Sequence, residues 1–195
     1  MLLARWMASI HFAHDCSVAA LPHRLRAGRV LEVGAGLGLA GLMLAKMGYK
    51  VVLSDREPVL LDRLRDNIEV NSVEADCRVL SLDWAKAPKM HRLLRAQRFS
   101  TVMGADVVYT EVAADLLVDL LSYALPEGGL AFFVNAAKYR AGSEAFSTKL
   151  RTAGHKVMEG VISVETDLQD LVCGSFEPEQ EYIALIVHVS ASVAG

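Results

Sequence analysis

Residues 29–41 read Arg29-Val-Leu-Glu-Val-Gly-Ala-Gly-Leu-Gly-Leu-Ala-Gly41, and where this stretch is divided decides the fold. Val30, Leu31 and Val33 make an apolar run that stops at Gly34, as a buried strand does, and the apolar run from Leu37 to Met47 reads as the helix that follows. Gly34, Gly36 and Gly38 carry no Cβ, so the chain can turn tightly and a ligand can lie against the main chain past the strand's carboxyl end. A strand, a glycine turn and a helix in this order make a nucleotide seat.

The register of the turn narrows the choice of ligand. As text, Gly36-x-Gly38-x-x-Gly41 matches the dinucleotide fingerprint, but the strand ends at Gly34, which shifts the match two residues into the helix and makes it a coincidence of spelling. Counted from the strand end, Glu32-Val-Gly-Ala-Gly-Leu-Gly38 resembles the first motif of class I S-adenosylmethionine-dependent methyltransferases. The next apolar run, Lys50-Val-Val-Leu-Ser-Asp55, closes on a carboxylate. An Asp at that strand end can accept hydrogen bonds from both ribose hydroxyls, a geometry shared by NAD and adenosylmethionine sites; the plainer alternative is an Asp that only caps its strand.

At 195 residues, 53% hydrophobic and 22% charged, the chain has the composition of a soluble enzyme with one sizeable core. A net charge of -3 argues against bulk electrostatic binding to a nucleic-acid backbone. The three cysteines, Cys16, Cys77 and Cys173, lie far apart and lack metal-ligand spacing, so neither a disulfide framework nor a metal site is expected. A reducing, cytoplasmic setting follows, with a mitochondrial one left open. No apolar run approaches the ~18 residues of a membrane span.

Outward from the glycine turn, residues 3–20 read as a helix covering the sheet, with Trp6 either over the ligand or in the core, and with His11 and His14 lacking a third metal ligand. Pro58 opens a helix that runs to Asn71 on Leu60, Leu61, Leu64 and Ile68. Residues 77–82 are the third strand and lead into Asp83-Trp84, a pair able to hydrogen-bond an adenine amine and stack on its ring; Trp84 as a loop plug is the bland alternative. Lys86, Lys89, Arg92, Arg95 and Arg98 then line a stretch that reads as a solvated amphipathic helix, with a binding patch as the other reading.

Phe99 begins the fourth strand, whose exit reaches Tyr109; Glu111 to Ala124 is a helix, and Leu130 to Val134 a buried strand. Ser143 to Ala153 reads as a last helix, and Lys156 to Val164 and Glu181 to Val189 as an antiparallel pair at the sheet edge. Between those two strands Glu165, Asp167, Asp170, Glu177 and Glu179 form an acidic connection, either simply solvated or docking a basic protein surface. This order predicts an α/β fold: a doubly wound, mostly parallel, Rossmann-like seven-stranded sheet with the last strands antiparallel. One domain is expected over 1–195, with a helical cover at 1–25, a cofactor-binding core at 26–135, and a C-terminal helix with edge strands at 136–190.

The order suits a methyltransferase better than a dehydrogenase, because no Tyr-x-x-x-Lys starts at Tyr109. Glu32 to Gly41, Asp55, Leu82-Asp-Trp84 and Gly104-Ala-Asp-Val-Val-Tyr109 together resemble methyltransferase family 16, the seven-β-strand protein-lysine methyltransferases, whose Asp-x-x-Tyr signature matches Asp106 to Tyr109. The resemblance implies that Gly34, Gly36, Asp55, Trp84 and Ala105 contact S-adenosyl-L-methionine, Glu32 its amino-acid end, and Trp6 its outer face, beside Asp83 read above as an adenine contact. It also implies that Asp106 faces the target amine and that Tyr109 walls the lysine channel. The partner implied is a protein substrate, with a membrane excluded and nucleic acid disfavoured. Base-modifying amino-methyltransferases carry Asn/Asp-Pro-Pro-aromatic where this chain has Asp106-Val-Val-Tyr109, which favours a lysine over a nucleobase. A small-molecule or RNA methyltransferase and a non-catalytic adenosylmethionine-binding protein are the alternatives.

Overall fold

The computed structural model describes residues 25–136, 141–162 and 182–190. In order these are β1 (Arg29–Glu32), α1 (Leu39–Lys46), β2 (Val51–Asp55), α2 (Pro58–Val70), β3 (Cys77–Ser81), a 3₁₀ turn (Trp84–Lys86), α3 (Ala87–Ala96) and β4 (Phe99–Ala105). There follow α4 (Glu111–Ala124), β5 (Leu130–Ala136), α5 (Ala141–Thr152), β6 (Lys156–Ile162) and β7 (Tyr182–His188). The seven strands form one sheet in the order β3-β2-β1-β4-β5-β7-β6. The first five run parallel, and β7 inserts antiparallel between β5 and β6. The two last strands therefore pair as expected; β7 alone runs against the rest.

Strand alternation builds a core on each face. Leu31, Val102 and Phe133 point to the side covered by α3, α4 and α5, whereas Val30, Val51, Leu53 and Met103 point to the side covered by α1 and α2. The helices bury the matching stripes: Leu61, Leu64 and Ile68 on α2, and Leu117, Leu120 and Leu121 on α4. Phe133 meets Phe146 of α5 edge to face, with ring centroids 5.0 Å apart. Every residue of β5 is buried, as expected of an inner strand covered on both faces.

Helix α1 starts at Leu39, two residues later than the apolar run suggests. Gly38, at φ 81°, takes the left-handed conformation, and Leu37 stays in the turn, 61% exposed. Gly38 has no side chain with which to cap the helix, and the cap comes from the strand instead. The Glu32 side chain at the end of β1 accepts from the Gly41 N–H at 2.8 Å. Gly41 is thus more than a spelling coincidence. A Cβ there would collide with Leu53 and come within 2.5 Å of the Glu32 carboxylate, so α1 lies this close to β1 and β2 only because position 41 is glycine. Burial pushes the Glu32 carboxyl up to about 7, against the smaller opposing effect of the Gly41 hydrogen bond.

Two outcomes are expected from this packing. Gly41→Ala gains helix propensity of about 1 kcal/mol but overpacks a filled site, so denaturant unfolding should show a net loss of about 1–2 kcal/mol. For Glu32, the folded chain holds a proton that the unfolded chain releases between pH 4.5 and about 7, so stability falls as pH rises through that window. Glu32→Gln should lack this slope. Its stability relative to the parent chain should rise by on the order of 3 kcal/mol between pH 4.5 and 8 in parallel urea titrations.

Candidate functional site

Strand order reverses between β1 and β4, and a cavity of about 710 Å³ opens at the carboxyl ends of these strands. Three strand-end turns wall it: Gly34 to Gly36 after β1, Asp55 and Arg56 after β2, and Ala105 to Tyr109 after β4. Leu82, Asp83 and Trp84 close the side beyond β3. The sequence-predicted residues Gly34, Gly36, Asp55, Asp83, Trp84, Ala105, Asp106 and Tyr109 therefore share one cavity.

The first wall is bare main chain. Gly34 and Gly36 both sit at φ 57°, and a Cβ on Gly34 would press on Val107 at 2.8 Å. Above Gly36 there is nothing within 4 Å, so a ligand can rest on the turn itself. Asp55, only 8% exposed, organises the next turn. Its Oδ1 accepts from the Arg56 and Glu57 N–H groups at 2.8 and 3.1 Å, and its Oδ2 from Gly36 N–H at 3.1 Å. These bonds leave Oδ2 with one open acceptor position, and Asp55 lines the cavity, so a sugar hydroxyl can donate to it there. Asp83 caps the 3₁₀ turn by accepting from Ala85 N–H at 3.2 Å and pairs with Lys86 at 3.3 Å. The Trp84 ring lies 3.5 Å from a Cβ built on Gly34. An open glycine floor, a fixed carboxylate acceptor and an indole wall fit a nucleoside.

Glu32 is not part of this wall. It is 4% exposed, and its carboxylate is turned onto Gly41 beneath the turn, so it shapes the seat through α1. Ser54 Oγ reinforces the layer by donating to the Glu32 carbonyl at 2.8 Å. Trp6 lies outside the described residues, as do His11, His14, Cys16, Cys173 and the acidic residues from 165 to 181.

The second wall carries charge and strain. Asp106 has φ 50°, a left-handed conformation that costs an L-residue free energy, though Asp bears it better than most. Neighbours hold it there: Asp106 N–H donates to Val134 O at 2.7 Å, and the Val107 and Val108 N–H groups donate to Asn135 Oδ1 at 3.2 and 3.4 Å. Ser143 Oγ on α5 donates to Val108 O at 3.3 Å, and Gly142 lies so close to Thr110 that a Cβ could not fit. Thr110 in turn caps α4 by accepting from Ala113 N–H at 3.1 Å. Tyr109 stands 51% exposed at the mouth.

Sequence reasoning missed Asn135, Ser143 and Tyr182. Asn135 and Ser143 brace the Asp106 turn from elements that follow it in the chain. Tyr182 arrives on β7, paired with Ala136, and its phenol is pushed up first by burial and then by the Asp106 charge. A buried Asn on an otherwise apolar strand was the one readable signal; nothing local marks Ser143 or Tyr182.

Comparison with known proteins gives the family and the fold. The mouse protein named EEF1A lysine methyltransferase 3 is 29% identical over 126 residues, covering 64% of this chain and 52% of that protein. The Xenopus laevis protein named histone-arginine methyltransferase METTL23 is 37% identical over 83 residues, covering 42% of this chain and 34% of that protein. The chain spans about half or less of the length of these curated relatives. A glycopeptide N-methyltransferase, MtfA, solved with S-adenosylmethionine, superposes with a TM-score of 0.62 at 13% identity, covering 89% of this chain and 86% of that one. At that identity the likeness is one of fold. The family model described as lysine methyltransferase matches residues 3–153, and so the chain belongs to the lysine methyltransferase family.

Proposed function

We propose that the chain is an S-adenosylmethionine-dependent N-methyltransferase whose target is a lysine side chain of a protein. The observation that carries this reading is the meeting, in one cavity, of a nucleoside seat at Gly34, Gly36, Asp55 and Trp84 with a braced carboxylate at Asp106. Family membership and the name of the mouse relative support lysine as the target. Among the described residues that line the cavity there is no Cys, Ser, Lys or His, so the arrangement suits direct transfer between two bound molecules.

Bound in the seat, adenosylmethionine supplies a methyl group on a cationic sulfur, which a neutral amine attacks in line as an N–C bond forms, the S–C bond breaks and the sulfur keeps the electron pair. A free lysine titrates near 10.4, so it must first lose a proton. Asp106 beside the amine favours the charged form, whereas exclusion of water from the cavity favours the neutral one. Asp106 therefore acts chiefly by orientation. It accepts the amine's N–H groups and leaves the lone pair aimed at the methyl, while the released proton goes to water. Tyr109 walls the lysine's path and holds the cationic product against its ring. Asp55 fixes the ribose, Asp83 and Trp84 the adenine, and Glu32 supports the floor from below. The setting proposed is the cytoplasm; among the described residues no helix is long and apolar enough to cross a membrane.

Incubation with radiolabelled adenosylmethionine and a proteome extract should place label in a discrete protein, at lysine after hydrolysis. Asp106→Asn should lower transfer by about 10²-fold, with cofactor affinity measured by calorimetry holding within a few fold. Asp55→Ala should instead weaken cofactor binding by about 10–100-fold. Label found only in RNA or in small molecules sinks the lysine assignment, and label on arginine moves the target to a guanidinium.

A further inference from the structure

The charge of α3 is unlike that of the other helices. Between Asp83 and Asp106 there is no carboxylate, yet Lys86, Lys89, Arg92, Arg95 and Arg98 recur at every third position of a chain whose net charge is -3. Helix α2 is also rich in arginine, but it neutralises itself: Arg65 meets Asp62 at 2.5 Å and Arg63 meets Asp66 at 3.9 Å. On α3 the neighbours at i and i+3 are like charges, which repel by a few tenths of a kcal/mol per pair. The cations also stand at the unfavourable end. Lys86 is the residue before the helix and Lys89 lies in its first turn, where the helix dipole is positive and no acidic residue offsets it.

Internal partners account for only part of this charge. Lys86 pairs with Asp83 at 3.3 Å, and Arg95 donates to Ser122 O at 2.9 Å on α4. Lys89 and Arg92 are exposed and make no ion pair among the described residues. Position gives the ladder its meaning. The 3₁₀ turn that contains Trp84, on the cavity wall, leads directly into α3, so the helix with exposed Lys89 and Arg92 starts beside the cavity. Helix α3, Ala87 to Ala96, is about 15 Å long, about the length of four or five residues of extended peptide.

We propose that this outward face of α3 docks an acidic segment of the protein to be methylated, so that the target lysine enters the cavity with carboxylates flanking it. The proposal rests on the methyltransferase reading above. Protein is favoured over RNA because α3 presents no Phe, Tyr or Trp, and His91 is its one aromatic ring, where successive bases need a series of stacking platforms. It is favoured over a membrane because Leu93 is the one large apolar side chain that the helix leaves exposed. The repulsion that the helix carries when alone is relieved when an anionic partner binds, and that relief adds to the docking free energy.

The test uses the full chain and three probes: a fluorescent 12-residue peptide with a central lysine and glutamate flanks, its glutamine-flanked counterpart, and a 12-nucleotide single-stranded RNA. The glutamate peptide should bind at least about 10-fold tighter than the glutamine peptide, and more weakly as salt rises. Lys89→Glu/Arg92→Glu, at two exposed positions, should abolish that preference while circular dichroism and calorimetric adenosylmethionine affinity stay unchanged. With labelled extract, the same variant should lower the initial rate of protein labelling by about 10-fold at limiting substrate. Equal binding of the two peptides, a preference the variant retains, or tighter binding of the RNA would each overturn the proposal. So would binding of the glutamate peptide only after the carboxylates from Glu165 to Glu181 are changed to amides, because the chain's own segment would then be the occupant. If the peptide preference and its loss are seen but no protein is labelled, the docking surface stands and the methyltransferase reading fails. Labelling without the preference overturns the docking surface and leaves the methyltransferase reading standing.

Discussion

The Gly41 amide donates to a carboxylate that the fold has taken out of water, and the seat at the end of β1 depends on that bond. A helix leaves its first N–H groups without partners, and the usual remedy is an oxygen-bearing side chain at the residue before it. Here that residue is Gly38, needed for a left-handed turn and unable to cap. Glu32 supplies the missing oxygen from the preceding strand, and its carboxyl accepts at the positive end of α1. Turn, helix and strand are thereby tied at one point. The Gly34–Gly36 backbone can stay bare for a ligand because the bond that holds it lies underneath.

The facing turn solves a similar geometric problem with different chemistry. Gly34 and Gly36 reach positive φ without steric cost, whereas Asp106 reaches φ 50° with a side chain attached. An aspartate is required there only if the carboxylate itself is used, so the local conformation has to be imposed from outside. Val134, Asn135 and Ser143 impose it, by hydrogen bonds to three consecutive residues of the turn. Asn135 is 2% exposed on a strand otherwise filled with apolar residues. A buried amide of this kind is costly unless satisfied, and it is satisfied by the two amides that orient the turn.

What the sequence made legible follows from how local each interaction is. The β1 turn, Asp55 and the α2 stripe are written within a dozen residues each and were readable; on α4 helical spacing turns Val112 inward with Leu117, Leu120 and Leu121, yet Val112 stands 67% exposed. Asp83, Trp84 and Asp106 were readable as ends of strands, because a parallel sheet sends every strand's carboxyl end to the same edge. The Glu32–Gly41 bond was hidden: Gly41 could be matched to a motif or dismissed from it, but its contact with Leu53 depends on how closely a helix packs on a strand. Tyr182 was hidden more deeply, since its approach to Asp106 requires β7 to enter the sheet beside β5 rather than at the edge. Patterns of alternation give a strand's faces and not its neighbours.

The fold by itself leaves the chemistry open, because the same sheet is found in a protein named as a glycopeptide N-methyltransferase at 13% identity. On the proposed reading, discrimination comes from the cavity wall that carries Asp106 and Tyr109, with the Tyr182 phenol close enough to feel the Asp106 charge. With lysine as the proposed target, the Asp106 carboxylate would attract the cationic side chain into the cavity and oppose its deprotonation, so attraction and reactivity would pull in opposite directions. Enclosure resolves the conflict if water is displaced as the side chain enters, since loss of solvent weakens the ammonium form while the carboxylate still accepts from the N–H groups of the neutral amine. The site then needs Asp106 at a fixed angle more than it needs a proton acceptor. A strained turn braced by three neighbours is the structure such a requirement would produce.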